Sequence, residues 1–349
     1  MNTRSNWCAL AVLCGAAWAC DAAEDSTPPP PTAAPAPQAF TFTHTAMGAK
    51  FEIQVYPPTP GMLEEELRPV VEEAWEAIDA LERRISNWIP ESELSQVNRQ
   101  AAVRPVPVSS ATLLMLDQSR RFWEQTGGAF DPTVGPLIEL WGFYRKEGHL
   151  PSDDELEQAR AKVGLQYVEV DYQASTVKFK KSGMHLDFGG IGKGYAVDLA
   201  AGILKGHGVT AALVNGGNSS LYAIGHPPER KGWTVRLQQS YGTAQEYVQE
   251  IEITDVSFSA SSGVEKFFEL EGNRYCHIFD PKTGMPVEGV LTAMVVAPTA
   301  TETDALSTSF FVLGETGTRA YCEKHPEVKA ILMVPGPNGT VEAKRINFK

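Results

Sequence analysis

Three short segments combine ionisable side chains with glycines or hydroxyls at spacings that suit phosphate chemistry. The densest is the run from His185 to Asp198, HLDFGGIGKGYAVD, which reads as a strand end, a glycine-rich loop and a helix start. Glycines let backbone N–H groups approach a phosphate, and a helix N-terminus adds favourable partial charge. It is neither common nucleotide loop: the dinucleotide fingerprint needs GxGxxG, and the P-loop needs GK followed by Ser or Thr, whereas Gly194 follows Lys193. Read alone, it is equally a tight turn packed under a helix. The second segment runs from Ala297 to Thr308, APTATETDALST. A helix beginning near Thr301 would place Asp304 and Thr308 on one face, a carboxylate and a hydroxyl that are both hard oxygen ligands. The competing reading is a capping box, Thr301-x-x-Asp304, with Thr308 merely exposed. The third, Tyr275 to Gly284 (YCHIFDPKTG), holds His277 as a candidate general base, although a lone His is more often a satisfied core residue. No GxSxG or HExxH appears, so the hydrolase classes those motifs mark have no support.

The elements that would carry these segments follow from periodicity. Phe51, Ile53 and Val55 alternate as in a half-buried strand. From Leu63 to Ile85, Leu67, Val70, Val71, Trp75, Ile78, Leu81 and Ile85 recur at helical spacing. Ser109 starts a second helix that stops at Gly127, and Ser152-x-x-Glu155 starts a third. Short strands are expected at 168–170, 176–179, 211–214, 233–237, 248–253 and 292–296, with helices at 195–204, 301–313 and 316–325. Strands in runs with unevenly interspersed helices indicate an α+β class with antiparallel sheet rather than a doubly wound parallel fold.

The 349 residues, 43% hydrophobic and 21% charged, suffice for a buried core. A net charge of −13 argues against a surface built to hold nucleic acid or an anionic membrane, since phosphate backbones are bound by clustered Lys and Arg. The chain opens with Arg4 and an apolar run from Trp7 to Ala19, too short to span a bilayer and typical of an export signal, residues 1–19. The stretch Ala17-Trp18-Ala19-Cys20 resembles a bacterial lipobox, with a plain secretory signal as the alternative. Residues 20–38 then form a Cys-led, Pro/Ala-rich linker, and 39–349 the folded domain. Of five cysteines only Cys276 and Cys322 fall in the folded part, with no CxxC or Cys/His cluster to hold a structural zinc.

Taken in order with Met47-Gly48, the run GGAFDPTVGPL from Gly127 to Leu137 and the run VNGGN from Val214 to Asn218, the three segments resemble the ApbE family of FAD:protein FMN transferases. The resemblance extends from about Phe42 to the last strand. It implies a two-layer antiparallel sheet with helices of the T-fold kind, FAD bound in a cleft, and Mg²⁺ beside the pyrophosphate. By position, Asp304 and Thr308 would hold the metal by their side chains and Gly190 and Ser307 by their backbone oxygens. Met47, Trp88, Ala129, Phe130, Asp131, Asp187, Lys193 and Phe279 would line the FAD cleft, and His277 is the candidate base. Trp88 stands where the family commonly has Tyr, and Gly190 where Ser or Thr is frequent.

The chemistry implied is attack by a threonine hydroxyl on the FMN-side phosphorus with AMP as leaving group. His277 would take the proton, Lys193 would neutralise phosphate oxygen, and the catalytic set would be His277, Asp304 and Thr308. The acceptor would be another protein with a Ser/Thr-Gly-Ala-Thr-like motif, which this chain lacks. The expected location is the periplasmic side of a bacterial membrane, with the protein anchored as a lipoprotein through Cys20. Two rival readings use the same cleft, an FAD pyrophosphatase yielding FMN and AMP and a non-catalytic flavin-binding lipoprotein.

Overall fold

An eight-stranded antiparallel sheet organises the chain. The computed structural model describes residues 38–145, 147–240, 246–264 and 266–348. The expected signal, Cys20 and all of the linker but Gln38 lie outside the described residues. In chain order, β1 (Phe40–Ala46) and β2 (Ala49–Val55) precede helices α1 (Glu64–Ile85) and α2 (Glu93–Gln100), strand β3 (Val106–Pro107), and helices α3 (Ser110–Gln125), α4 (Gly135–Leu140) and α5 (Asp153–Arg160). Strands β4 (Val168–Asp171) and β5 (Thr176–Phe179) lead to α6 (Gly192–Gly206), β6 (Ala212–Gly216), β7 (Ser220–Ile224), β8 (Trp233–Ser240) and β9 (Glu246–Ile253). Then come β10 (Ser257–Ser262), β11 (Phe267–Leu270), β12 (Asn273–Cys276), β13 (Thr292–Ala297), α7 (Ala300–Lys324), β14 (Lys329–Pro335) and β15 (Val341–Ile346). The main sheet has the order β1-β2-β6-β7-β10-β13-β14-β15, with small separate sheets β3-β5-β4, β8-β9 and β11-β12. The class is therefore α+β with an antiparallel sheet and helices, as the sequence indicates.

Local chemistry explains the helices that matter here. Helix α1 buries Leu67, Val71, Ala74, Trp75, Ile78, Leu81 and Ile85 along one stripe, with Glu64, Glu65 and Glu66 in its first turn and Arg83 and Arg84 in its last, both matched to the helix dipole. Ser109 and Ser152 cap α3 and α5 by accepting from Thr112 N and Glu155 N. The two helices expected at 301–313 and 316–325 appear as one span, α7, broken at Gly314, whose φ of 63° only glycine adopts readily.

Helices α1, α6 and α7 bury one side of the sheet in the main core, which includes Phe51, Ile53, Ile78, Leu306, Phe310 and Leu332. The β8–β9 hairpin covers part of the other side, where Trp233, Val235 and Ile253 meet Phe258, Met294, Val296 and Ile331. All six residues of β13 are buried, as a strand covered on both faces must be. A third apolar cluster, around Leu137, Trp141 and Phe279, lies under α4 and α5 and supports one wall of the cleft described next. Cys276 and Cys322 are both buried and unpaired.

Candidate active site

Helices α6 and α7 cap each other, and the crossing makes the polar corner of the site. On α6, Asp198 accepts Ala300 N at 2.8 Å, Thr301 N at 2.8 Å and Thr301 Oγ1 at 2.6 Å, which satisfies the opening turn of α7. In return Asp304 Oδ2 accepts Gly194 N at 2.8 Å in the first turn of α6. The close approach requires glycine at 194, because a Cβ there would lie 2.1 Å from Ala300 O and 2.7 Å from Asp304 Cβ. The capping-box reading of Thr301 and Asp304 is corrected by this arrangement. The N-cap of α7 is Thr299, which accepts from Glu302 N, and the Asp304 carboxylate leaves its own helix to serve α6.

Asp304 and Thr308 both face a cleft of about 800 Å³, within the usual range for small-molecule sites of roughly 300–1,000 Å³. Burial raises the Asp304 carboxyl above its usual range, with the Lys193 charge acting the other way. Ser220, fully buried, turns its hydroxyl toward that carboxylate without closing a hydrogen bond of good geometry. Gly190 borders the same corner, and a Cβ there would stand 3.3 Å from Thr308 Oγ1 and 3.4 Å from the Phe130 ring. A buried carboxylate and a hydroxyl beside the Gly190 backbone suit a hard cation that takes its remaining ligands from water or substrate phosphate. They do not suit zinc, and among the described residues no three His, Cys, Asp or Glu side chains converge on a metal position. Ser307, expected to give a backbone oxygen, is fully buried and does not line the cleft; its hydroxyl donates to Asp304 O at 3.0 Å.

His277 follows β12 directly and lines the cleft. Its Nδ1 lies 3.0 Å from the backbone oxygen of Lys266. A carbonyl can only accept, so Nδ1 carries the proton and Nε2 keeps its lone pair. Burial first, then the charges of Lys266 and Lys193, lower its pKa to about 4, while the Lys266 carbonyl and Asp187 act in the opposite sense. The ring is neutral at pH 7, the state a proton acceptor needs.

The remaining walls come from loops. Trp88, just after α1, is 69% exposed at the rim and stands edge-on to Tyr144 at 5.8 Å, a large apolar surface open for stacking. Asp187 accepts from Tyr144 OH at 2.6 Å, Asn87 Nδ2 at 3.0 Å and Gly189 N at 2.6 Å, which fixes its carboxylate at the cleft wall. Burial and the Asp187 charge push the Tyr144 phenol far up, so it remains a donor. Met47, Ala129 and Phe130 line the cleft, as does Phe279, which packs on Trp141. Asp131 also borders it, yet its two oxygens accept from Thr133 N, Thr133 Oγ1, Trp123 Nε1 and Leu165 N, so this carboxylate holds the loop. Lys193 donates to Ser219 Oγ, lines the cleft, and its charge acts on both Asp304 and His277. Asn87, Tyr144 and Ser261 were not among the expected site residues, since they stand in segments without a local chemical pattern.

The fold is an antiparallel α+β one whose cross-capped helices close a cleft lined by a carboxylate–hydroxyl pair, a lysine and a neutral histidine, a set of groups suited to phosphate chemistry. Residues 47–332 match the model of the ApbE family. The chain is 31% identical over 311 residues to an FAD:protein FMN transferase of Treponema pallidum, covering 85% of this chain and 84% of that one. It is 33% identical over 242 residues to the Escherichia coli protein of the same name, covering 68% and 69%. Among solved structures, it resembles the flavin transferase ApbE from Vibrio cholerae with a TM-score of 0.78 at 25% identity, over 89% of this chain and 97% of that one. The apo form of the Pseudomonas stutzeri flavinyl transferase ApbE gives 0.78 at 26% identity, over 89% and 95%. The chain belongs to the ApbE family.

Proposed function

We propose that this protein is an FAD:protein FMN transferase, moving the FMN half of FAD onto a threonine of an acceptor protein with release of AMP and with Mg²⁺ as cofactor. The transferase reading is supported by relatives that carry that name. The observation that carries the mechanism is His277: a neutral imidazole with Nδ1 committed to Lys266 O and Nε2 left as acceptor, in the same cleft as Asp304, Thr308 and Lys193.

In the step proposed, the acceptor threonine oxygen bonds to the FMN-side phosphorus and the bond from that phosphorus to the bridging oxygen breaks. AMP leaves with the bridging oxygen and its electron pair, and the threonine proton passes to His277 Nε2. Lys193 offsets charge on the phosphate oxygens, and the Asp187 carboxylate and the Trp88 ring orient the flavin end. Magnesium held by Asp304, Thr308 and the Gly190 carbonyl would supply charge neutralisation to the pyrophosphate. The acceptor fits a Ser/Thr-Gly-Ala-Thr-like motif. We also propose that the protein is exported and tethered to a bacterial membrane through a lipid on Cys20, facing the periplasm, on the strength of the small residues before that cysteine and the Pro/Ala-rich stretch after it. No helix of the described residues is long and apolar enough to cross a membrane.

The test is to mix the protein with FAD, Mg²⁺ and a peptide bearing the acceptor motif, then to follow peptide mass and free nucleotides. FMN-modified peptide with equimolar AMP supports the transferase. Free FMN and AMP with unmodified peptide would replace it with the pyrophosphatase.

A further inference from the structure

Strand β10 has the sequence SFSASS, and its alternate residues Ser257, Ser259 and Ser261 point one row of hydroxyls at α7. Ser259 Oγ meets Thr303 Oγ1 at 2.7 Å, and Ser261 Oγ meets Ser307 Oγ at 2.8 Å and Thr308 Oγ1 at 3.3 Å. Where a core usually places apolar residues, this seam is held by hydroxyl pairs. Its open end is the candidate metal corner, since Ser261 and Thr308 line the cleft whereas Ser307 and Ser259 are fully buried.

The seam has a direction. The Asp304 carbonyl can only accept, so Ser307 donates to it at 3.0 Å. With its proton used, Ser307 Oγ accepts at 2.8 Å from Ser261, and Ser261 Oγ is then the nearest acceptor for Thr308, at 3.3 Å against 3.5 Å for Asp304 O. Thr308, Ser261, Ser307 and the Asp304 carbonyl thus form a chain in which every proton points away from the cleft. A hydroxyl ligates a cation through a lone pair, and a proton aimed into the corner would repel the ion.

We propose that Ser261 is a positioning residue for the metal site. Its Oγ accepts the hydrogen bond that Thr308 Oγ1 donates and so leaves the Thr308 lone pairs facing the position between Asp304 and Gly190. This rests on the metal reading above and extends it to a residue that does not itself bind the ion. Partners that orient ligands typically alter metal affinity by tenfold or more.

The test is Mn²⁺ binding to FAD-free protein, read by the free-ion EPR signal, with thermal melts on the same samples. Ser261→Ala should weaken Mn²⁺ about tenfold, and Ser261→Thr, which keeps the hydroxyl, should bind like wild type. Ser259→Ala is the matched control: it deletes a hydroxyl of the same strand and face bonded to Thr303, and should leave Mn²⁺ affinity unchanged whatever its melting temperature. Ser307→Ala breaks the next link and should weaken Mn²⁺ even if Ser261→Ala does not fold. Equal Mn²⁺ affinity in wild type, Ser261→Ala and Ser307→Ala, or equal weakening in Ser259→Ala, overturns the proposal. Asp304→Ala separates the two levels: binding that survives it sinks the metal reading, whereas binding that it abolishes and Ser261→Ala leaves intact sinks the positioning role alone.

Discussion

His277 Nδ1 donates to the carbonyl oxygen of Lys266 at 3.0 Å, and that bond decides which end of the imidazole can do chemistry. A side chain that bonds a backbone carbonyl is ordinarily a packed residue with no further task. Here the same bond fixes the tautomer and leaves Nε2 as the acceptor, in a cleft that also holds Lys193 and Asp304.

The first expectation is a pH profile. An unperturbed histidine titrates near 6.5, and burial together with the Lys266 and Lys193 charges moves His277 down to about 4. Transfer measured as kcat/KM should rise with pH through that value and be level across the neutral range, because the base is already neutral there. Stability follows the same shift with its own sign. Between about 6.5 and 4 the unfolded chain binds a proton at this histidine that the folded chain refuses. His277 therefore lowers stability progressively as pH falls through that window, and His185, also lowered by burial, adds to it. A kcat/KM limb near 6.5 that is absent from His277→Ala would show the ring to be far more solvated than its surroundings indicate.

Asp304→Asn separates metal binding from helix capping. The asparagine carbonyl can still accept Gly194 N, so the melting temperature should stay within a few degrees, while loss of the carboxylate should cost on the order of a hundredfold or more in transfer. Circular dichroism melts paired with transfer rates check both. Full activity would show that Asp304 serves only to cap α6.

Asp198→Ala should do the reverse. Its carboxylate satisfies three donors at the start of α7, and leaving them unpaired should destabilise by about 2 kcal/mol. FAD affinity of the folded fraction, by fluorescence titration, should change little, since Asp198 does not line the cleft. A large affinity loss with unchanged stability would contradict this division of labour.

Much of the site was legible because its parts are local patterns. The glycine run before Lys193, the four-residue step from Asp304 to Thr308 and the histidine after Tyr275-Cys276 each announce chemistry within a dozen residues. What escaped was set by contacts between distant segments. Thr299 rather than Thr301 caps α7 because Asp198, on another helix, claims Thr301, a pairing with no local signature. Tyr144 and Asn87 meet Asp187 from two separate loops. Strand β10 carries the period-two signal only weakly, with Phe258 and Ala260 as its apolar positions between three serines. The period-two serines at 257, 259 and 261 were the available signal. Strands β11 and β12 are mostly exposed and carry little apolar pattern at all. The tautomer of His277 depends on Lys266, eleven residues away across a hairpin, and its lowered pKa depends first on burial, which no local pattern announces.

Cys20→Ser tests the tether. On the proposed export and tether, the protein should fractionate with membranes with the cysteine in place, and the serine variant should move to the soluble exported fraction. Unchanged membrane association would remove the lipid from the proposal.

The most direct measurement pairs an FAD titration with single-turnover transfer on one sample of His277→Ala across pH. A missing general base costs on the order of a hundredfold to ten-thousandfold in rate. The variant is expected to bind FAD within about twofold of wild type, to transfer FMN slower by that factor, and to lose the acid limb near pH 4. Intact FAD binding with a wild-type rate and an unchanged pH profile would contradict the base role of His277.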